Sequence, residues 1–522
     1  MIPRPNHATI MPGGLWVAGF LLLPSRSEIL MDNTPFNILY LTTELSPYAR
    51  TGGLAQVAAA LPRALAALGD DVRIILPRYG LIDPEQHRLR RVLESFPVPF
   101  DHETETAGLW QAQDSPLPVY FVEHHRFFGS RKGIYSFPDD GERFIFFSRA
   151  ALEAVRRLDW QPHAIHCNEW QTALVPNWMR TLYASDPFFA QTAVLYNIHN
   201  LSYQGIFGQR VLEIAGIAEH GFIAHPEVSP SLNQVVDMMA RGIIFADIIV
   251  TVSPTYAREI LTPEYGEGLD PILRDRQDRL FGILNGIDTE SFDPARDPHL
   301  AATYDRHNLQ GRDRCRLALL QEAGLPDLGD APIICMTSRL SDQKGYDILE
   351  TVLEPMLRHL ETQWVIMGTG EDRYHNFLEN LQARFPQKLR VLFTYSETLA
   401  RRLFAGADIF LMPSRHEPCG LDQLLAMRYG AIPVVHATGG LADTVQDHRP
   451  PVTGTGFSFQ DYDGMALFAA MVRACEVYRH PTVWADIRQE AMGRDHSWAS
   501  SAREYRKLYR RARSLKLTGR PQ

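Results

Sequence analysis

Cysteine is scarce. The chain has five in 522 residues (Cys167, Cys315, Cys335, Cys419 and Cys475), an odd number, widely scattered and without a Cys-x-x-Cys pair. That pattern excludes a disulfide framework and suits reduced thiols in a cytoplasmic protein. Positive charge is also in deficit, with 52 Lys plus Arg against 61 Asp plus Glu and a net charge of -9. Nucleic-acid affinity rests largely on phosphate neutralisation, so a nucleic acid is not the main partner. The apolar run at residues 13–24, GGLWVAGFLLLP, is too short to cross a bilayer, which takes about 20 residues. Few positive charges precede it and no small-x-small cleavage site follows, so residues 1–34 read as a leader without function, with a natural start near Met31. No membrane partner is expected. The sequence also lacks a GxGxxG fingerprint after either leading strand, a GxxxxGK[ST] loop, a GxSxG elbow and an HExxH helix, which disfavours a nicotinamide dehydrogenase. The HAIHC spacing matches no common zinc site, so no metal is expected.

What is present is ample material for packing. Hydrophobic residues make up 45% and charged residues 22%, and the length exceeds one ordinary core, so two domains are expected. Apolar runs alternate with helical patterns, the signature of parallel sheets with crossover helices. The first set of strands begins at Phe36, Val72, Pro118, Ala164, Thr192 and Asp247; the second at Pro332, Gln363, Arg390, Asp408 and Ala431. Their continuous hydrophobicity predicts burial on both faces. The Pro- and Asp-rich GIDTESFDPARDP predicts a hinge near residues 285–295. The fold class is therefore α/β, with two doubly wound Rossmann-like domains facing a cleft, at 35–285 and 286–495. In the final segment, 496–522, Trp498, Ala502, Tyr505 and Tyr509 recur at helical spacing, which predicts a docking helix that returns to the first domain.

Several strand-to-helix turns carry residues that structure alone does not require. Thr51-Gly52-Gly53 opens a helix that Pro62 is expected to kink, and its amides, with Arg50 beside them, suit an anion. A tight turn would explain the glycines equally well. Arg339 and Lys344 in TSRLSDQKGYDIL follow a strand end, where a fork and a point charge can flank a diphosphate. Glu417 in SRHEPCGLDQLL sits at a helix start, where a carboxylate can act as a simple cap. Capping does not explain Pro418, Cys419 and Gly420, nor the Thr438-Gly439 turn in HATGGLADT. Glu169, Gln171 and His199 lie at two further strand ends of the first domain.

These segments, TELSPYARTGGLAQV, HCNEWQTAL, IHNLSYQGIF, DIIVTVSPTYAREI, GILNGIDTESFDP, TSRLSDQKGYDIL, MGTGEDRY, SRHEPCGLDQLLAMRYGAIPVVHATGGLADTV and DHSWASSAREYRKLY, resemble in order the bacterial glycogen synthases and plant starch synthases. The resemblance runs from about Phe36 to Tyr509. It implies a GT-B fold and transfer of glucose from ADP-glucose to the non-reducing end of an α-1,4-glucan or glycogen, with retention of configuration and no cofactor. It implies that Arg339 and Lys344 hold the diphosphate, that Glu417 lies beside the donor sugar, and that His199 contacts the glucose. Glu169, Gln171 and Asn200 would face sugar and acceptor, Tyr395 would stack on adenine, and Asn285 would lie near the nucleotide. Gly52, Gly53, Cys419, Gly420, Leu421, Thr438 and Gly439 would line the donor site.

The sequence departs from the family's pattern in three places. Arg50 replaces the usual lysine, Gln56 an aspartate, and Glu169 an aspartate, so donor or acceptor preference is open. A related enzyme using UDP-glucose or another acceptor, or a non-catalytic glucan-binding homologue, fits the same residues. A glucan phosphorylase would need a pyridoxal phosphate lysine.

Overall fold

A computed structural model describes residues 34–220, 225–229, 231 and 234–518. The expected leader lies outside them except for its last residue.

Eleven apolar runs predicted as strands all form strands. In the first sheet, nine strands lie in the order Leu280–Gly282, Ile248–Thr251, Ala193–Ile198, Ala164–Asn168, Asn37–Leu41, Asp71–Pro77, Val119–Glu123, Glu103–Ala112 and Leu89–Phe100. Its first seven members pair in parallel, and strands such as Ala164–Asn168 and Ala193–Ile198 are buried along their whole length. Burial on both faces is why they read as unbroken apolar runs. The second sheet holds six parallel strands in the order Leu389–Leu392, Gln363–Met367, Ile333–Thr337, Ile409–Met412, Ile432–His436 and Phe457–Phe459.

The first sheet also has an antiparallel hairpin that the parallel reading did not anticipate. Leu89–Phe100 pairs with Glu103–Ala112, which in turn pairs with Val119–Glu123. Register shifts interrupt the outer strand between Arg91 and Leu93 and between Leu93 and Phe96, and Pro97 and Pro99 stand exposed on it. Only one face of this hairpin is packed, so its apolar residues are interleaved with charged ones and never form a run. The helix Leu54–Ala67 passes through Pro62 as one element.

The chain crosses between the sheets twice. Ile287 bridges to Ser497 and donates its amide to His496 O at 2.8 Å, so outgoing and returning segments run side by side. Gly286 is needed there, because a Cβ would come within 2.5 Å of the Trp498 backbone nitrogen. The returning segment becomes the helix Trp498–Thr518, which packs against Leu54–Ala67 and the first sheet. Tyr505 and Tyr509 are fully buried on its inner face. The Tyr509 hydroxyl shares a 2.6 Å hydrogen bond with His166 Nδ1, Ser501 Oγ donates to Leu284 O at 2.6 Å, and Arg506 lies 3.3 Å from Asp70.

Removing the Tyr509 hydroxyl leaves the buried His166 Nδ1 without its partner, which costs about 1–3 kcal/mol. Tyr509→Phe is therefore expected to lower the denaturant midpoint with little change in turnover. A midpoint equal to wild type would show that this bond does not hold the terminal helix.

Candidate active site

The turns at the carboxyl ends of both sheets converge on a cleft. A cavity of about 480 Å3 is walled on one side by Arg50, Gly52, Gly53 and Gln56 and on the other by Tyr395 and Leu421, with Thr337 and Asp422 at its floor. Thr337 and Asp422 also line a smaller cavity of about 80 Å3 with Lys344 and Ser414. The two spaces thus share a wall, where Thr337 Oγ1 donates to Asp422 Oδ2 at 2.9 Å.

The acid of the opening helix turn is held by two donors. Lys344 Nζ lies 2.5 Å from Glu417 Oε2, and Ser414 Oγ donates to the same oxygen at 3.1 Å. Glu417 is buried at 8% exposure, so this pair is poorly screened by solvent. Arg339 stands exposed after the strand Ile333–Thr337 and has no ion-pair partner among the described residues. Of the two predicted cations, Lys344 is already neutralised by Glu417, and Arg339 keeps its charge available for a ligand.

The glycine turns differ from expectation in an instructive way. The Thr51 and Gly52 amides donate to Glu44 Oε2 at 2.7 and 2.8 Å, while Glu44 Oε1 accepts from the Tyr135 hydroxyl at 2.9 Å. Likewise Thr438 Oγ1 and the Gly439 amide donate to Glu259 Oε1, at 3.1 and 2.9 Å. Amides expected to await an anion therefore already serve the protein's own carboxylates. Free donors remain one turn away: the Cys419, Gly420 and Leu421 amides meet no protein acceptor among the described residues. Gly52 and Gly53 do not have positive φ either, and a Cβ on each would meet nothing within 4 Å. Packing and backbone angle do not demand glycine at those positions.

Arg50 points across the cleft, 3.7 Å from Glu397, near the largely exposed Tyr395. On the second-sheet side, the Asn285 backbone amide reaches the Cys419 thiol, whose pKa burial pushes up to about 12. Asn285 Oδ1 and Gln171 Oε1 are buried without a protein partner among the described residues.

A second cluster gathers at the first sheet's strand ends. Glu169 adopts φ 59° and is buried, and its Oε1 accepts the backbone amides of His199 and Asn200. Burial pushes its pKa up to about 8, with the two amides opposing and Glu44 adding to the rise. Near neutrality the group is thus mainly protonated. Its oxygen braces the His199 loop. His199 Nε2 lies 2.9 Å from Asn168 Oδ1 and 3.0 Å from Asn197 Nδ2. Burial holds its pKa down at about 4, so the imidazole is neutral at physiological pH and suited to hydrogen-bonding a hydroxyl.

Sequence reasoning assigned no role to the segment that joins the two clusters. Ser253 caps the short helix Pro254–Glu259 by accepting the Tyr256 amide at 3.1 Å and also donates to Pro418 O at 2.7 Å. Tyr256 accepts the Leu201 amide at 3.1 Å and packs its ring on His416. The Ser-Pro-Thr start signals a helix N-terminus, but nothing in it signals the opposite lobe.

Two outcomes follow from this cluster. A glutamine carbonyl can accept both amides that Glu169 takes, so Glu169→Gln is expected to keep the wild-type melting temperature near pH 7, whereas Glu169→Ala loses several degrees by calorimetry. For His199, unfolded imidazole titrates near 6.5 and the folded group near 4. Between those values the unfolded chain binds a proton that the folded chain refuses, so stability falls as pH drops through this window. The acid-side loss of melting temperature should be smaller in His199→Gln than in wild type; equal slopes would exclude the buried neutral imidazole.

Residues 37–275 match the family model described as starch synthase catalytic domain, and residues 322–485 match glycosyl transferases group 1. The chain is 44% identical over 485 residues to a glycogen synthase of Moorella thermoacetica, covering 92% of this chain and 97% of that one. It is 42% identical over 498 residues to a glycogen synthase of Desulforudis audaxviator, covering 92% and 97%. Among solved structures, the catalytic domain of starch synthase IV from Arabidopsis thaliana, bound to ADP and acarbose, superposes with a TM-score of 0.83 at 34% identity, over 92% of this chain and 100% of that one. With two Rossmann-like lobes around a cleft and these likenesses along almost its whole length, the chain belongs to the glycogen and starch synthase family of retaining GT-B glycosyltransferases.

Proposed function

We propose that the protein transfers glucose from ADP-glucose to the 4-hydroxyl at the non-reducing end of an α-1,4-glucan such as glycogen. The observation that carries this reading is the cavity of about 480 Å3 between the glycine turn of one lobe and Tyr395 and Leu421 of the other, which shares Thr337 and Asp422 with the smaller space beside Lys344. Tyr395, 67% exposed, offers a ring for an adenine. The plant relative was solved with ADP, which favours the same nucleotide here. The five free thiols suit a reducing compartment, which we take to be the cytoplasm. We read 35–285 as the acceptor-side lobe, 286–495 as the donor-side lobe and 496–522 as the helix that ties one to the other.

In this reading the departing diphosphate is stabilised by Arg339, by Lys344 and by the free amides of Cys419, Gly420 and Leu421. Such preorganised donors act where charge develops and are worth most in a water-poor site. Binding the diphosphate gives Lys344 a second anion, so its hold on Glu417 weakens as the donor arrives. The acid is then released toward the glucosyl group, where positive charge builds at the anomeric carbon. His199, neutral and braced by Glu169, would hold a sugar hydroxyl, with Gln171 and Asn200 toward the acceptor, Arg50 and Gln56 at the nucleotide mouth, and Asn285, Thr438 and Gly439 shaping the donor pocket. Lobe closure around the donor excludes water and limits hydrolysis.

Radiolabelled glucose is expected to enter glycogen from ADP-glucose in preference to UDP-glucose; incorporation from UDP-glucose alone would overturn the donor assignment. Arg339→Ala and Glu417→Gln are each expected to lower kcat by roughly 10²–10³-fold, the range for removing one preorganised transition-state contact. Gly52→Ala is expected to leave thermal stability unchanged and to cut kcat/KM, because the added methyl enters the cavity and not the core.

A further inference from the structure

Resting on the glucosyl-transfer reading above, we infer that Glu259 is a positioning residue that couples lobe closure to the aim of Glu417. Glu259 ends the helix Pro254–Glu259 of the first lobe and reaches across to the second, where Thr438 Oγ1 donates to its Oε1 at 3.1 Å and the Gly439 amide lies 2.9 and 3.1 Å from its two oxygens. That turn is in turn locked onto the acid's own backbone. The Gly440 amide donates to Glu417 O and Pro418 O, both at 3.1 Å. A Cβ on Gly439, which has φ 44°, would come within 2.1 Å of Glu417 O, and one on Gly440 within 2.0 Å of Cys419 O. There is no slack between the two turns, so the 438–440 turn cannot shift without moving residues 417–419.

The same helix grips the acid's turn from its other end. Ser253 Oγ donates to Pro418 O, and Thr255 donates through its amide and its hydroxyl to Asp443, each at 2.7 Å. Glu259 is the member of this set that binds the glycine turn directly. When the lobes part, the Gly439 amide and the Thr438 hydroxyl lose their acceptor, and the turn that backs Glu417 is released. When they close, a carboxylate supplied by the acceptor side fixes the acid on the donor side. Chemistry is thereby confined to the closed state, where water is excluded. Misplacing a reacting group by about 1 Å is enough to cost on the order of 10²-fold in rate.

The test compares Glu259→Ala, Glu259→Gln and Glu259→Asp in the full-length protein. Glu259→Ala is expected to lower kcat by about tenfold or more while KM for ADP-glucose changes less than about threefold, and Glu259→Gln, whose carbonyl still accepts the Gly439 amide, to recover to within about threefold of wild type. A rise in KM at unchanged kcat, or wild-type kcat in the alanine variant, overturns the proposal. If the alanine variant does not fold, Glu259→Asp, one methylene short of Gly439, gives the same comparison. Hydrogen exchange over residues 436–445 reads the contact without turnover: faster exchange in the alanine variant supports it, and unchanged exchange overturns it. A wild-type protein that turns over neither ADP-glucose nor UDP-glucose refutes the functional reading, while the exchange result still decides whether Glu259 holds the turn.

Discussion

Backbone amides freed in the turns around the cleft need acceptors, and this protein supplies three such turns with glutamate side chains. Glu44 fastens the Thr51-Gly52 turn, Glu169 the His199-Asn200 loop, and Glu259 the Thr438-Gly439 turn. An ionised acceptor makes a stronger bond than a neutral side chain, and an unpaired buried amide costs about 1–3 kcal/mol. The result is a sorting of turns into two kinds. Three are closed by the protein itself and act as rigid walls. One, at Cys419 to Leu421, keeps its amides open, two residues beyond the Glu417 that Lys344 holds.

That sorting explains why the two lobes behave as one working unit. The chain links them only where Ile287 and Ser497 run together, a narrow connection about which a cleft can open and shut. Farther out, the helix Pro254–Glu259 and its cap Ser253 bridge the cleft through hydrogen bonds that each have a side chain on at least one side, and such contacts can be made and broken repeatedly. The helix Trp498–Thr518 secures the stationary end of the connection by burying two tyrosines against the first sheet. Rigidity at the crossing and reversibility at the cleft are complementary requirements of an enzyme that must shield its donor yet release a long product.

Much of this architecture is legible in the sequence, for a specific reason. Parallel strands buried on both faces leave unbroken runs such as AIHC and TAVLYNI, and the turns that follow them carry glycines and charges in recognisable order. The hairpin Leu89–Phe100 with Glu103–Ala112 was not legible, because a strand packed on one face interleaves its apolar residues with Arg and Glu. Nor were the carboxylate braces. Glu44 and Glu259 look like ordinary surface glutamates until the fold brings amides to them, and the protonation of Glu169 depends on burial that no local pattern records. Long-range pairing, not residue type, decides these roles.

The outer hairpin has a consequence for how the molecule keeps to itself. A nine-stranded sheet ending in a straight, apolar strand would invite a neighbouring chain to add a tenth. Here the terminal strand is twice out of register, carries exposed Arg90, Arg91 and Glu94, and shows two prolines to solvent, while the opposite margin is a stub of three residues. Neither border offers a usable template for strand addition, so crowding many copies on the surface of one polymer particle need not drive them to fuse through their sheets.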